Sequence, residues 1–413
     1  MSRFTLGRFG WFLLLALLWW GSAARAEELR YHYVSLRATI PAPFLFFTPS
    51  AINDSGRVYG TLYLCGNANC DYLAGTIGVW AAGTITPRQP GNAYVANDQG
   101  TVGGSVFTDP VNFIEQAALF HDGSVELIPR QPGELTSYVI ALNDSDTAVV
   151  LSINASYQGT WVLYRNGQST RLDFGSTIPN PDVTGMNNQG LICGISFGNP
   201  NRGFRFDPRT GEATLLNPLP TEPHAWGVGI NSRGDVLGWS FVFGRLERIG
   251  VWDHDAVFQT YFVEGTPQYP TVSNQLAFND HNQIVISRTE EPSAYLKHSY
   301  LVPKPGVRLN LADLVGDLPS GANLSVVQAI NNHGDMIGFD FFGSGDDFLL
   351  ERVDATGSPA SVAANIAPGM SKRLIPKATA EGWRRYHMSP EHLPQSGAAL
   401  PQGVSDSLLL RVR

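Results

Sequence analysis

Seven times along this chain a pair of small or apolar residues stands directly before an asparagine. The pairs are Ala51-Ile52, Val95-Ala96, Ala141-Leu142, Gly185-Met186, Gly229-Ile230, Ala277-Phe278 and Ala329-Ile330. A polar turn follows each asparagine, then a short β-type run such as Val58-Tyr59-Gly60 or Val236-Leu237-Gly238-Trp239-Ser240-Phe241. Two apolar runs around a Gly/Asn turn predict a β-hairpin. The asparagines are Asn53, Asn97, Asn143, Asn187, Asn231, Asn279 and Asn331, separated by 44, 46, 44, 44, 48 and 52 residues. A recurrence period of roughly 20 to 50 residues marks a repeat architecture.

The turn chemistry is consistent across the copies. Three residues after the asparagine stand Gly56, Gly100, Gly190, Gly234 and Gly334, with Asp146 and Asn282 in the other two copies. Gly, Asn and Asp tolerate a left-handed backbone, so this position is expected to have φ > 0. The asparagine side chain is expected to accept a backbone hydrogen bond within its own turn. It is therefore read as a structural turn residue.

Each repeat has a second half built the same way. Gly78-Val79-Trp80-Ala81-Ala82-Gly83-Thr84-Ile85 and Trp161-Val162-Leu163-Tyr164-Arg165-Asn166-Gly167-Gln168 read as further hairpins. Two hairpins give four short antiparallel strands per repeat, the content of one propeller blade. A helical solenoid needs a 3.6-residue apolar period and fewer glycines. A β-helix usually has a shorter repeat. The predicted fold is all-β, a seven-bladed β-propeller spanning residues 27–354. The seventh repeat has no evident fourth strand after Phe348–Val353, and residues 29–36 form a strand before the first repeat. That N-terminal strand is expected to close the ring and remove its free edges. Ser407–Arg413 is the alternative closing strand.

The pattern Ala-Ile-Asn-x-x-Gly-x-Val-x-Gly, then an aromatic strand, a turn and an apolar strand, resembles the HAF repeats of bacterial extracellular proteins. Residues 29 to about 354 carry it, and His298-Ser299-Tyr300 is the nearest match to the His-Ala-Phe tripeptide of that family. The resemblance implies a secreted repeat protein and supplies no catalytic residues.

Composition adds an address. Arg3 and Arg8 precede an apolar run from Trp11 to Trp20, and Ser22-Ala23-Ala24-Arg25-Ala26 follows. Residues 1–26 therefore read as a signal peptide, too short in its apolar part to span a bilayer comfortably. The expected location is extracellular or periplasmic, with no membrane span after cleavage. Of 28 basic residues three leave with the signal, so 25 remain against 36 acidic ones. This balance argues against a nucleic-acid partner. Residues 355–413 differ: they are rich in Ser, Pro and Ala, with seven basic and three acidic residues. They read as a basic tail, disordered or docked on the disc through Trp383-Arg384-Arg385-Tyr386.

Cys65 and Cys70 flank a polar turn, which in an oxidising compartment predicts a small-loop disulfide. Two sulfurs without a nearby histidine make a poor metal site. Cys193 lies in a predicted strand and reads as a buried thiol.

Four motifs invite chemistry and lose it in context. Gly194-Ile195-Ser196-Phe197-Gly198 matches the nucleophile elbow, but that elbow needs a strand-to-helix turn, and Gly194 is a repeat glycine. Asp253-His254-Asp255 falls on a predicted hairpin turn, and Glu290-Glu291 and Asp346-Asp347 fall in predicted loops. No metal, cofactor or catalytic residue is assigned.

The Asn-turns and the second-hairpin turns alternate, so both kinds are expected on one face. The variable connections, among them Arg130–Glu134, Pro179–Pro181, Leu219–His224 and Gln268–Pro270, are expected on the other, where function usually sits. Five residues before the asparagines lie Thr48, Asn92, Tyr138, Asp182, Trp226, Asn274 and Val326. They are expected to ring the channel mouth, with the polar and aromatic ones forming a ligand pocket centred on Tyr138, Asp182 and Trp226. The expected function is a monomeric binding or scaffold module for a glycan, peptide or protein. The alternative is a propeller enzyme of lyase or lactonase type, which wants more carboxylates than Asp182 alone.

Overall fold

The computed structural model describes residues 29–353 except 71, 111, 113, 243–246, 265–272, 290–296 and 341–343. The signal segment, the basic tail with Ser407–Arg413, Gln268–Pro270 and Glu290-Glu291 lie outside the described residues.

The chain forms seven four-stranded antiparallel sheets, one per repeat, with almost no helix. Each sheet is a meander. In blade 1 the strands Phe46–Ile52, Val58–Cys65, Leu73–Ala81 and Thr84–Pro90 pair in chain order from the axis outward. Blades 2 to 6 repeat this order, with inner strands Asn92–Ala96, Glu134–Leu142, Pro181–Met186, His224–Ile230 and Ser273–Phe278. Blade 7 takes three strands from the end of the described chain, Val326–Ile330, Met336–Phe339 and Asp347–Val353. Its fourth strand is Arg30–Ser35, which runs antiparallel to Asp347–Val353 from Arg30↔Val353 to Ser35↔Phe348. The expected ring closure by the N-terminal strand is the one observed.

All seven asparagines form the same turn. Each Oδ1 accepts from the backbone N–H four residues on, at 2.8–3.1 Å. The backbone N–H of the third residue donates to the asparagine carbonyl in every copy. That third residue has φ between 53° and 92°, whether Gly, Asp146 or Asn282. The asparagines are at most 4% exposed. A buried amide must have its polar atoms paired, and the turn supplies the acceptor end with its donors.

The donor end reaches across blades. Nδ2 of Asn97 donates to the carbonyl of Asn143, Asn187 to Asn231, Asn279 to Asn331, and Asn331 to Asn53 across the ring closure, at 2.8–3.0 Å. A second belt lies one residue on. The N–H of Asp54, Asp98, Asp144, Ser232, Asp280 and Asn332 each donates to a side-chain oxygen of the equivalent residue in the next blade.

The apolar core lies between blades as spokes. Leu62 and Trp80 of blade 1 pack with Ile337 and Leu349 of blade 7, and Tyr59 and Val79 with Val102 and Phe120 of blade 2. Side chains of a strand project from the two faces of its sheet, and in this ring each face meets a neighbouring blade. Every inner strand carries a register shift, as between Ala93 and Val95 or Gly227 and Gly229. The shift pushes a carbonyl onto the second strand: a Cβ on Gly104 would lie 1.8 Å from the Asn92 oxygen, so only glycine fits there.

Asn331→Ala removes a turn acceptor and the donor that crosses the closure. At about 1 kcal/mol per net hydrogen bond it is expected to cost about 2 kcal/mol in urea unfolding. Asn154→Ala, in an exposed turn whose hydrogen bonds stay within the turn, is expected to cost about half as much or less. Equal losses in the two variants would mean that the inter-blade bond contributes nothing.

Candidate functional site

In an antiparallel meander the first and third turns of a blade emerge on one face. The second turn and the link to the next blade emerge on the other. The Asn-turns therefore share a face with the outer hairpin turns, such as Ala82-Gly83 and Asn166-Gly167. The opposite face carries the connections that differ from blade to blade. The Cys65–Cys70 disulfide is there, in the loop between the second and third strands of blade 1. Its sulfurs are bonded to each other and are not metal ligands.

The seven positions five residues before the asparagines all fall in the inner strands, Tyr138 at the middle of Glu134–Leu142 and the others in the half nearer this variable face. The described side chains among them do not form a uniform ring, because their accessibility differs from blade to blade. Thr48, Tyr138 and Trp226 are half-buried. Trp226 packs edge-on to Trp239 and Phe241 of its own blade, with centroids 6.1 and 5.0 Å away. Tyr138 reaches from blade 3 toward blade 2, where its ring meets Tyr94 at 6.1 Å. Asn92, Asp182 and Val326 are buried. The side chain of Asn274 lies outside the described residues. Of the three groups expected at the centre, Tyr138 and Trp226 keep accessible surface, while Asp182 is enclosed at 7% exposure.

A polar cluster that the sequence did not single out lies beside Asn92 and Tyr138. Glu115, on the third strand of blade 2, is buried. Its Oε2 accepts from Tyr94 Oη at 2.8 Å and from Ser105 Oγ. Thr136 of blade 3 accepts from the Glu115 N–H and donates to Tyr138 Oη at 3.1 Å. A single carboxylate in the strand Ile114–His121 was the available signal. It had no meaning until three blades were brought together.

The remaining motifs are structural. Ser196 ends a strand, is buried, and donates to the carbonyl of Pro179 at 2.8 Å. Asp253, His254 and Asp255 are the one group of three metal-ligating side chains found together among the described residues. Asp253 Oδ1 is engaged with the N–H groups of Asp255 and Val257, and the other two residues are exposed. This is another Asx-type turn on the hairpin face. Cys193 is fully buried against Thr184, and burial pushes its thiol pKa up to about 12.

No family profile and no curated protein matches this sequence. Solved structures do resemble the fold. The β-propeller domain of the Trilobed protease from Pyrococcus furiosus aligns with a TM-score of 0.51 at 9% identity, over 79% of this chain and 100% of that one. The acylaminoacyl peptidase of Pyrococcus horikoshii aligns at 0.50 and 8% identity, over 84% of this chain and 52% of its own. TolB from Acinetobacter baumannii aligns at 0.40 and 10% identity, over 59% of this chain and 60% of its own. The chain thus spans only part of the peptidase and of TolB. Identities this low establish a shared β-propeller and nothing more. The Pyrococcus furiosus domain has an open velcro topology; here the N-terminal strand is hydrogen-bonded into blade 7.

Thiolate is the nucleophile in alkylation, and a buried thiol with a raised pKa supplies almost none at neutral pH. Native protein is expected to take up no iodoacetamide at pH 7.5. After unfolding without reductant it should take up one equivalent, at Cys193, and after reduction three. Mass spectrometry of the labelled chain checks this. Labelling of Cys65 or Cys70 without reduction would contradict the bridge.

Proposed function

We propose that this protein is an exported propeller that binds a glycan, peptide or protein at its variable face. The observation that carries the reading is the asymmetry of the disc. One face is tied by two belts of hydrogen bonds made from the repeat itself. The other is released from the repeat and varies in every blade. A rigid scaffold with variable loops on one side is the arrangement in which binding residues accumulate.

At the inner edge of that face stand Tyr138 and Trp226, both half-buried. A large aromatic ring held in place by packing offers contact area at low entropic cost, and Tyr adds a hydrogen-bonding tip. Farther out, Leu135 and Tyr157 of blade 3 are 37% and 68% exposed. Tyr157 sits at φ 60° in a turn capped by Asn154, where the equivalent position of the repeat turn takes Gly, Asn or Asp. A bulky residue in the left-handed region is conformationally costly, and at an exposed loop tip that cost presents a ring to solvent. Export rests on the residue pattern of the first 26 positions and on the resemblance to HAF repeats. Among the described residues no helix is long and apolar enough to cross a membrane.

A glycan and peptide array probed with the protein lacking residues 1–26 identifies the ligand class. Trp226→Ala and Tyr138→Ala are each expected to weaken the identified interaction by about 2 kcal/mol, the loss typical of a packed aromatic anchor. Asp255→Ala on the hairpin face should leave it unchanged. Full affinity in both aromatic variants, with melting temperatures preserved, would move the site away from the channel mouth.

A further inference from the structure

Glu115 is a carboxyl group 2% exposed, at the junction of blades 1, 2 and 3. The titratable groups that face it are Tyr63 from blade 1, Tyr94 from its own blade and Tyr138 from blade 3. None of these carries positive charge. The cation nearby, Arg130, donates to the Glu115 backbone carbonyl at 3.0 Å and to Thr108 Oγ1, not to the carboxylate. Asn92 lies against the carboxyl, fully buried, yet neither of its amide atoms makes a hydrogen bond of ordinary geometry.

An ionised Glu115 would be an acceptor only, and would leave Asn92 Oδ1 without a donor. A protonated one has a hydroxyl to give. A protonated carboxyl can give its O–H from Oε1 to the Asn92 amide oxygen, while Tyr94 and Ser105 still donate to Oε2. We propose that Glu115 and Asn92 form a proton-operated latch inside blade 2, where that blade meets blade 3: closed when the carboxyl is protonated, loosened beneath Tyr138 when it ionises. Desolvation is the dominant cause that raises the Glu115 pKa, to about 7, against the opposing hydrogen bonds from Ser105 and Tyr94. The latch thus operates near neutrality. It stands on the packing of three blades and does not depend on the ligand-binding reading.

The sign follows from linkage. The closed state holds its proton up to about pH 7, whereas an opened, solvated glutamate releases it near the ordinary value of about 4.3. Opening is therefore least favourable below the lower value, rises by up to about tenfold per pH unit between the two, and levels off above the higher.

The test is hydrogen exchange of Asn92–Ala96, Ile114–His121 and Glu134–Leu142 from pH 5 to pH 8.5, read as the ratio of wild type to Glu115→Gln at each pH. The ratio cancels the intrinsic pH dependence of exchange. It is expected to rise toward tenfold per unit and to flatten above about pH 7. Tyr94→Phe removes a donor that favours the carboxylate, so its opening should keep rising to higher pH than that of wild type. This variant also decides the matter if Glu115→Gln does not fold. An infrared difference spectrum, wild type minus Glu115→Gln, should show a protonated carboxyl band that disappears across pH 7. A pH-independent ratio, an unmoved Tyr94→Phe profile, or no such band would each overturn the latch.

Discussion

A primary amide has one end that accepts hydrogen bonds and one that donates them, and this fold uses the two ends of one asparagine differently. Oδ1 holds the asparagine's own turn in all seven blades. Nδ2 reaches the main chain of the next blade in four places, one of them across the ring closure. The residue after the asparagine adds a second belt, backbone N–H to neighbouring side chain. An aspartate would supply the acceptor end but not the donor. The left-handed third position follows from that turn being the same each time.

Tying one face leaves the other free. The spokes of apolar packing between blades need only that neighbouring sheets face each other, and they tolerate changes in whatever joins the strands at the far end. Loop differences there include the disulfide-bridged segment of blade 1 and the Asn154–Tyr157 turn of blade 3. Buried polar groups then become local features of particular blades rather than of the repeat. Glu115 with Asn92 is one such feature, and it lies at the variable end of its blade.

Much of the architecture was legible because it repeats. A left-handed third position was readable from Gly, Asp146 and Asn282 together, and the closing role of residues 29–36 from the missing fourth strand of blade 7. The channel mouth was less legible. Counting five residues back from each asparagine finds equivalent backbone positions, but side-chain direction depends on the register shift in each inner strand and on the neighbouring sheet. Asn92 and Asp182 are consequently enclosed between blades, while Tyr138 and Trp226 keep an accessible edge. Glu115 was illegible for a related reason: its surroundings come from strands spread over the first three repeats. The turn at Asn154 repeats the chemistry of the repeat turn but sits off the period, on the opposite face.

The account makes the asparagine turns the fixed frame of the molecule. Native-state hydrogen exchange of the seven backbone amides that donate to asparagine Oδ1, from Arg57 to Asp335, tests this most directly. These amides lie in surface turns, where loops ordinarily exchange by local opening of small free energy. If the belt is the frame, all seven exchange only by unfolding of the whole disc, with the same free energy as the strand cores and the same dependence on urea. Exchange that is fast, insensitive to urea and different from blade to blade would contradict it, leaving the inter-blade spokes alone to hold the ring.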